Sequence, residues 1–442
     1  MEPKYIVGIE IGSSKIKGAV GYVDAKGSLS VQTVEEQPLI DCVRYGVIQN
    51  VEIVANTVDD ILRRIEERMT PRKVESIYVA VGGMSLCTTR MEVQRQLPEE
   101  QEITRAITAQ LKTEGSNTAI TDRDVIGYAP LTYLIDGKTS EHPEGTYGTN
   151  IRLQLNLISC RSRLKCNINR VLAEKLNLKI NNYVIRPTAQ ADLVLTSEEK
   201  RSGCMFVDFG AETTTVGIYK KGSLQYLATI PMGSRNITRD LTALLHLEEH
   251  AERVKRTMAS ASMSGIPSHQ TVDNVDVNDI NSYVSARAGE IIANICEQVK
   301  FAGYKPNELP GGIIVVGGGA KLRDFITRLE SDSNMKVRLG APAQNVRIAD
   351  GRIQPTDAVD IISVLYAALP EAVECMPEPP VQIPDPIVDT APEAPDEDEI
   401  QPEPEPEPYV APKPKRKNIF SRLGDRISSL MTDNDDDMED DD

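Results

Sequence analysis

Tryptophan is absent from this 442-residue sequence, and there are only 5 Phe and 4 His. A hydrophobic core must therefore be built from Val, Ile, Leu and Ala. The 7 cysteines (Cys42, Cys87, Cys160, Cys166, Cys204, Cys296, Cys375) are odd in number, and none stands in C-x-x-C spacing. With so few histidines this excludes the usual zinc and iron–sulfur patterns. It predicts reduced, mostly buried thiols of a cytosolic protein. No apolar run is long enough to cross a bilayer. Glu10 and Lys15 interrupt the first apolar run, so no signal peptide is expected. Excess basic charge is also lacking. Of 49 basic and 66 acidic side chains, 6 and 22 lie after residue 370, leaving 43 and 44 before it. The near-neutral body gives no reason to expect nucleic-acid binding, and the acidity belongs to a tail.

Residues 5–9 read as a buried strand, followed by a Gly/Ser turn and a second strand to Val23. Over residues 51–69, Val51, Val54, Val58, Ile61, Leu62, Ile65 and Met69 fall on one helical face. Residues 77–81 predict a strand ending at Gly82-Gly83. From 84 to 165 the texture turns to polar strands with a helix near 102–114, as in an inserted subdomain. A helix near 164–178 and a strand at 180–185 follow. At Cys204-Met205-Phe206-Val207-Asp208 the opening pattern recurs: an apolar strand, a carboxylate, a glycine, hydroxyls, then another strand. This predicts an internal duplication. Long helices are expected at about 234–259 and 280–302, then a strand at Ile313–Val316, a triple glycine and a closing helix near 356–369.

Three loops carry the candidate chemistry. The first is Glu10-Ile11-Gly12-Ser13-Ser14-Lys15. A tight turn after a buried strand directs backbone N–H groups one way, Gly12 permits close approach, Ser13 and Ser14 add donors, and Lys15 adds charge. Such a nest suits a polyphosphate. Glu10 at the strand end is placed to hold Mg²⁺ through water. The second loop, Asp208-Phe209-Gly210-Ala211-Glu212-Thr213-Thr214, repeats this form. Gly210, Thr213 and Thr214 face phosphate in that reading, with Asp208 as the second carboxylate on Mg²⁺. The third, Gly317-Gly318-Gly319, lets the backbone approach a base and ribose. Each loop alone is an ordinary turn; two opening the two halves of one chain predict a nucleotide clamped between related domains.

That order of motifs resembles the superfamily of actin, the heat-shock chaperones and the sugar kinases over residues 4–370. Within it the chain resembles the FtsA family of bacterial cell-division proteins. The resemblance implies an α/β actin-like fold, with two related α/β domains and a nucleotide cleft between them. Residues 1–83 and 166–202 would form the first domain (1A), with an FtsA-type subdomain (1C) inserted at 84–165. Residues 203–239 and 303–370 would form the second (2A), interrupted by a helical subdomain (2B) at 240–302. It implies ATP and Mg²⁺ as cofactors. In His250-Ala251-Glu252-Arg253-Val254-Lys255 it makes Glu252 and Lys255 adenosine contacts, against the alternative of a helical ion pair. Two departures stand out. Ala211-Glu212 replaces a Gly-Gly pair, and a Glu near phosphate is repelled unless it points away or helps hold the metal. Arg186 precedes Pro187 where related ATPases often carry a carboxylate. An arginine stays protonated and cannot act as a base, which leaves Gln190 as a weak candidate to orient water. The pattern supports ATP binding with at most weak hydrolysis.

Residues 371–414 interleave proline with Glu and Asp and predict an extended linker. In 415–432, Ile419, Phe420, Leu423, Ile427 and Leu430 share one helical face, rimmed by Lys417, Arg422 and Arg426. A basic rim beside such a face suits an anionic membrane surface, the alternative being a helix docked on protein. Residues 433–442 are almost wholly acidic. The resemblance then implies a peripheral protein on the inner membrane at the division site. It would form a homopolymer and hold the C-terminal peptide of FtsZ, the tubulin-like ring protein, on its helical subdomain, with Arg287 and Asn294 as contacts. The alternatives are an actin-like scaffold of a pilus-assembly type, or a small-molecule kinase of the same superfamily.

Overall fold

In the computed structural model, residues 3–24, 27–263, 271–343 and 345–378 are described. Two sheets are built on one plan. The first runs Lys179–Ile185, Ser76–Val81, Tyr5–Ile11, Lys15–Val23, Leu29–Pro38, with Val346–Ile348 as an added edge. The second runs Val337–Leu339, Ile313–Val316, Cys204–Phe209, Thr214–Lys220, Ser223–Ile230. In each, three consecutive strands meander antiparallel, and two later strands add in parallel beyond the first of them. The duplicated sequence pattern is thus a duplicated strand order, and the fold is actin-like α/β.

The central strands are buried throughout because helices cover both faces. On the first sheet, a methyl built on Gly18 would lie 2.5 Å from Ile61 of the Val51–Arg68 helix. One built on Gly8, opposite Ala19, would lie 3.1 Å from Val364 of the Val359–Ala368 helix. The two glycines point to opposite faces of the hairpin, and each lets its helix sit close. Asn50 caps the first of these helices by accepting from the Ile53 N–H, an ordinary N-cap.

In the chain, between the Ser76–Val81 and Lys179–Ile185 strands of the first sheet, lies a separate sheet, ordered Cys87–Glu102, Tyr147–Arg161, Arg123–Ile135, Lys138–Ser140. It has its own apolar cluster around Leu111, Leu153 and Leu155 and carries the Arg105–Ser116 helix. It docks on the edge strand Ser223–Ile230. There the Asn156 amide donates to the Leu224 and Gln225 carbonyls at 3.1 and 2.7 Å.

Two expectations are corrected. The helix foreseen over 234–259 is two helices, Ser234–Leu245 and Glu248–Thr257, broken at His246, whose φ of 60° ends the first. The linker does not begin at 371. The Cys375 N–H donates to Tyr5 O at 2.8 Å, Glu75 N–H donates to Cys375 O at 2.9 Å, and Cys375 and Met376 are buried. Residues 371–376 contain no proline, so they pair with the body before the proline-rich run starts. The rest of the linker, the 415–432 segment and the acidic end lie outside the described residues. Among the described residues, no helix is long and apolar enough to cross a membrane.

Candidate nucleotide cleft

Both glycine turns close in the same way. The Gly12 N–H donates to Lys15 O at 3.0 Å, and the Gly210 N–H donates to Thr213 O at 2.9 Å. Each glycine stands two residues past a carboxylate, Glu10 or Asp208, and each ladder ends beside its turn, at Ile11↔Ile16 and Phe209↔Thr214. A methyl on Gly12 would approach Lys15 O to 2.8 Å, and one on Gly210 would approach Thr213 O to 3.0 Å. Both turns therefore exclude a larger residue, and Ser13, Ser14, Ala211 and Glu212 stand outside the strand ladders. The second turn rests on a helix start: Ser234 N–H and Arg235 N–H donate to the Gly210 and Ala211 carbonyls. Of the hydroxyls, Ser13 accepts from the Gly46 N–H and Thr214 donates to Met232 O, while Thr213 is buried in the turn. The Lys15 ammonium pairs with Glu36 at 2.7 Å on the neighbouring Leu29–Pro38 strand, so its charge is spent at the surface.

Arg186 joins the two carboxylates. It stands at the start of the Arg186–Val194 helix, just after the last strand of the first sheet. Its Nη1 lies 2.7 Å from Glu10 Oε1, and its Nη2 lies 3.0 Å from Asp208 Oδ2. The guanidinium lies over Gly82, where a methyl would come within 3.1 Å of Cζ. Burial would push Arg186 down, but Asp208 and Glu10 hold it well above its ordinary value. Burial raises both Glu10 and Asp208 from the usual carboxylate range, with Arg186 opposing. Lys17, opposite Glu10 on the hairpin, is taken by Asp360 at 2.7 Å and by Asp357 O. The expectation that Glu10 and Asp208 hold Mg²⁺ through water therefore meets a donor set already bridged by a cation. The residues do not fit the ion.

The third loop closes on the second carboxylate. Gly317 has φ 93°, and a methyl there would lie 2.4 Å from Phe209 O and 2.8 Å from Asp208 Oδ1. Gly319 sits against the Phe209 ring, whereas Gly318 is exposed with open space where a side chain would be. Glu252 and Lys255 form an ion pair at 2.6 Å, but the lysine is buried. Its ammonium donates to Thr238 Oγ1 and to Ser234 O, so the pair fastens the Glu248–Thr257 helix to the helix start that carries the second turn. Burial lowers Lys255 although Glu252 opposes it. Glu252 in turn is held below its ordinary range by Lys255 and Thr238 against its own burial. Gln190, one helical turn after Arg186, is buried, and its Oε1 has no hydrogen-bond partner. An orphaned buried acceptor of this kind calls for a water or ligand donor.

Sequence reasoning missed the latch beside the second turn. Glu212 points away from the carboxylate pair and is fully enclosed by arginines: Arg44 at 3.0 Å, Arg239 at 3.2 Å and Arg235 at 3.3 Å. Only its place in the turn, where a small residue was expected, marked it.

On the second half a groove of about 630 Å³ runs between the Ser234–Leu245 and Val277–Phe301 helices. Arg239, Asp240, Thr242, Ala243, Ser282 and Tyr283 line it. Arg287 lies next to it with its fork on Asp240, at 2.6 and 3.1 Å, and with Glu290 as a further partner. The Asn294 amide donates to Glu290 O, one turn beyond. The membrane residues Ile419, Phe420, Leu423, Ile427, Leu430, Lys417, Arg422 and Arg426 lie outside the described residues.

The family model described as "Cell division protein FtsA" matches residues 205–359. The chain is 28% identical over 333 residues to the cell division protein FtsA of Porphyromonas gingivalis, covering 73% of this chain and 69% of that protein. It is 26% identical over 378 residues to the FtsA of Pseudomonas aeruginosa, covering 82% and 89%. Among solved structures it is similar to a chain of a PilM–PilN type IV pilus biogenesis complex, with a TM-score of 0.60 and 16% identity. That alignment covers 82% of this chain and 98% of the other, and it speaks to the fold alone.

Proposed function

This chain belongs to the FtsA family of actin-like cell-division proteins, and on that footing we propose that it is a nucleotide-binding adaptor at the inner membrane. It binds ATP between its two halves, polymerises, and ties the FtsZ ring to the membrane through residues 415–432. The observation that carries the nucleotide reading is the pair of identically closed turns, at Gly12 and Gly210, whose carboxylates meet on one guanidinium. A third glycine loop abuts the same point. Two backbone nests converging on one place suit a polyphosphate, and the open side at Gly318 leaves room for a nucleoside.

The groove beside Arg239, Asp240 and Tyr283 supports the FtsZ reading. It offers an exposed aromatic ring, two charges and flanking hydroxyls between two helices, a surface on which a short peptide finds an anchor and a polar rim. Arg287 then acts by orienting Asp240 rather than by touching the peptide. Binding at one short peptide and one short amphipathic helix is weak in each case, and polymerisation adds the avidity.

The test is fluorescence anisotropy of a labelled FtsZ C-terminal peptide titrated with the full chain. Saturation at about micromolar concentration, weakened roughly tenfold by Tyr283→Ala, supports the reading. A folded protein that binds ATP but not the peptide removes the FtsZ partner and favours a scaffold of another membrane machine. Sedimentation with anionic vesicles tests the tail: Phe420→Glu should abolish pelleting, and unchanged pelleting sinks that assignment.

A further inference from the structure

We propose that the Arg186 guanidinium is the resident cation of this cleft, standing where a divalent ion would be held, so that the chain binds its nucleotide without Mg²⁺. This rests on the nucleotide reading above and says how that site is neutralised.

The geometry is specific. A magnesium ion in a nucleotide site is held by one or two carboxylates, with water and phosphate oxygens completing its octahedron. Glu10 and Asp208 are the carboxylates at the two turns, one from each half. Arg186 spans them with separate nitrogens at 2.7 and 3.0 Å. Glu10 and Asp208 are almost completely enclosed, and Arg186 nearly so. The arrangement is also prepared from below. Gly82 has no side chain where the guanidinium lies, and any Cβ there would press on Cζ, Nε and Nη2.

The remaining charges in the network are already matched. Lys17 is taken by Asp360, which accepts nothing further from the cleft except the field of Arg186. A dication brought to the two carboxylates would stand beside a buried guanidinium, where repulsion is scarcely screened. It would also have to displace charge-assisted hydrogen bonds that are among the strongest side-chain contacts. A guanidinium is permanently charged and offers five donors in a fixed fork. With two nitrogens on the carboxylates, Nε is buried and has no acceptor. That unpaired donor can give its hydrogen to an anionic oxygen or a water, while Gln190, one helical turn along, has a buried Oε1 that calls for a donor of its own. The same residue thus supplies positive charge, fixes both turns and retains a free donor.

The test uses the full chain and a fluorescent N-methylanthraniloyl ATP, titrated in excess EDTA and in excess Mg²⁺. The wild type should bind equally in both, within about threefold. Arg186→Gln leaves two unpaired carboxylates and should become dependent on the ion, binding at least about tenfold tighter with Mg²⁺. Arg186→Lys, a point charge that satisfies one carboxylate, should fall between them and covers the case in which Arg186→Gln does not fold. A wild type that loses tenfold or more of its affinity in EDTA overturns the proposal. If no nucleotide binds in either buffer, the nucleotide reading falls, and thermal unfolding without nucleotide decides the cation question. Mg²⁺ should then raise the melting temperature of Arg186→Gln and leave the wild type unmoved. An unmoved Arg186→Gln overturns the proposal.

Discussion

The backbone N–H of Tyr45 donates to Glu212 Oε2 at 2.6 Å, and this bond ties the first half of the molecule to the second phosphate-type turn. The carboxylate that accepts it is buried among Arg44, Arg235 and Arg239. Removing it leaves three guanidiniums facing one another and a buried N–H without an acceptor. Glu212→Ala should therefore cost about 3–5 kcal/mol in urea unfolding. Glu212→Gln keeps the Tyr45 acceptor and should cost clearly less. A loss below about 1 kcal/mol for the alanine variant would show that solvent already screens the cluster.

Neighbouring glycines of the third loop separate backbone strain from ligand approach. Gly317 is held at φ 93°, with Phe209 O and Asp208 Oδ1 where a Cβ would stand. Gly317→Ala should destabilise the protein by about 2 kcal/mol or more and weaken nucleotide binding with it. Gly318 has nothing within 4 Å of that position. Gly318→Ala should leave the melting temperature unchanged, and a weaker fluorescent-nucleotide signal there would come from the ligand side alone. Equal loss of stability in both variants would contradict the geometry.

How much of this was legible in the sequence depends on how local each signal is. An apolar strand ending in a carboxylate and a glycine is written in a few consecutive residues, so the twin turns and the actin-like plan were readable from Glu10-Ile11-Gly12 and Asp208-Phe209-Gly210. The partners of those residues were not. Arg186 lies far from both carboxylates in sequence, and reading it residue by residue established only that it is no base. Its bridging role needs the end of the Lys179–Ile185 strand beside the ends of Tyr5–Ile11 and Cys204–Phe209. Glu212 stood out as a misfit in its loop, but its arginines come from two distant places, Arg44 in the first half and Arg235 and Arg239 on the Ser234–Leu245 helix. The break at His246 was hidden because the apolar spacing continues through it, and only the backbone angle reveals it.

Stability should depend on pH through Glu199. Its carboxylate meets the Arg338 guanidinium with two contacts at 2.8 Å and accepts from Thr196 N–H at the start of a short helix. Burial would raise it, but Arg338 and Thr196 hold it below the ordinary carboxylate value. A depressed carboxylate stabilises the fold at pH above its unfolded value, and that contribution fades as pH falls through the lower folded value. Because Arg338 is well exposed, the effect is discounted to about 1 kcal/mol at pH 7. Glu199→Gln should be less stable than the wild type at pH 7, with the gap closing between about pH 5 and pH 3. A gap that stays constant over that range would mean the contacts act through shape rather than charge.

The inserted sheet is held to the second half by Asn156, whose amide donates to two carbonyls of the Ser223–Ile230 strand at its docking edge. Leu227 N–H donates back to Thr88 Oγ1 at 3.0 Å, so the edge is closed by side chains rather than by a strand ladder. Asn156 is nearly inaccessible. Asn156→Ala leaves two buried carbonyls short of a donor, at a cost of about 1–3 kcal/mol. The apolar cluster of the inserted sheet is separate, so the sheet itself should stay folded while its docking weakens. Hydrogen exchange should then speed up at Leu227, whose N–H bonds across the interface, and remain slow at Leu153 and Leu155 inside the sheet. Uniform acceleration across all three amides would show instead that the insertion and the second half unfold as one unit.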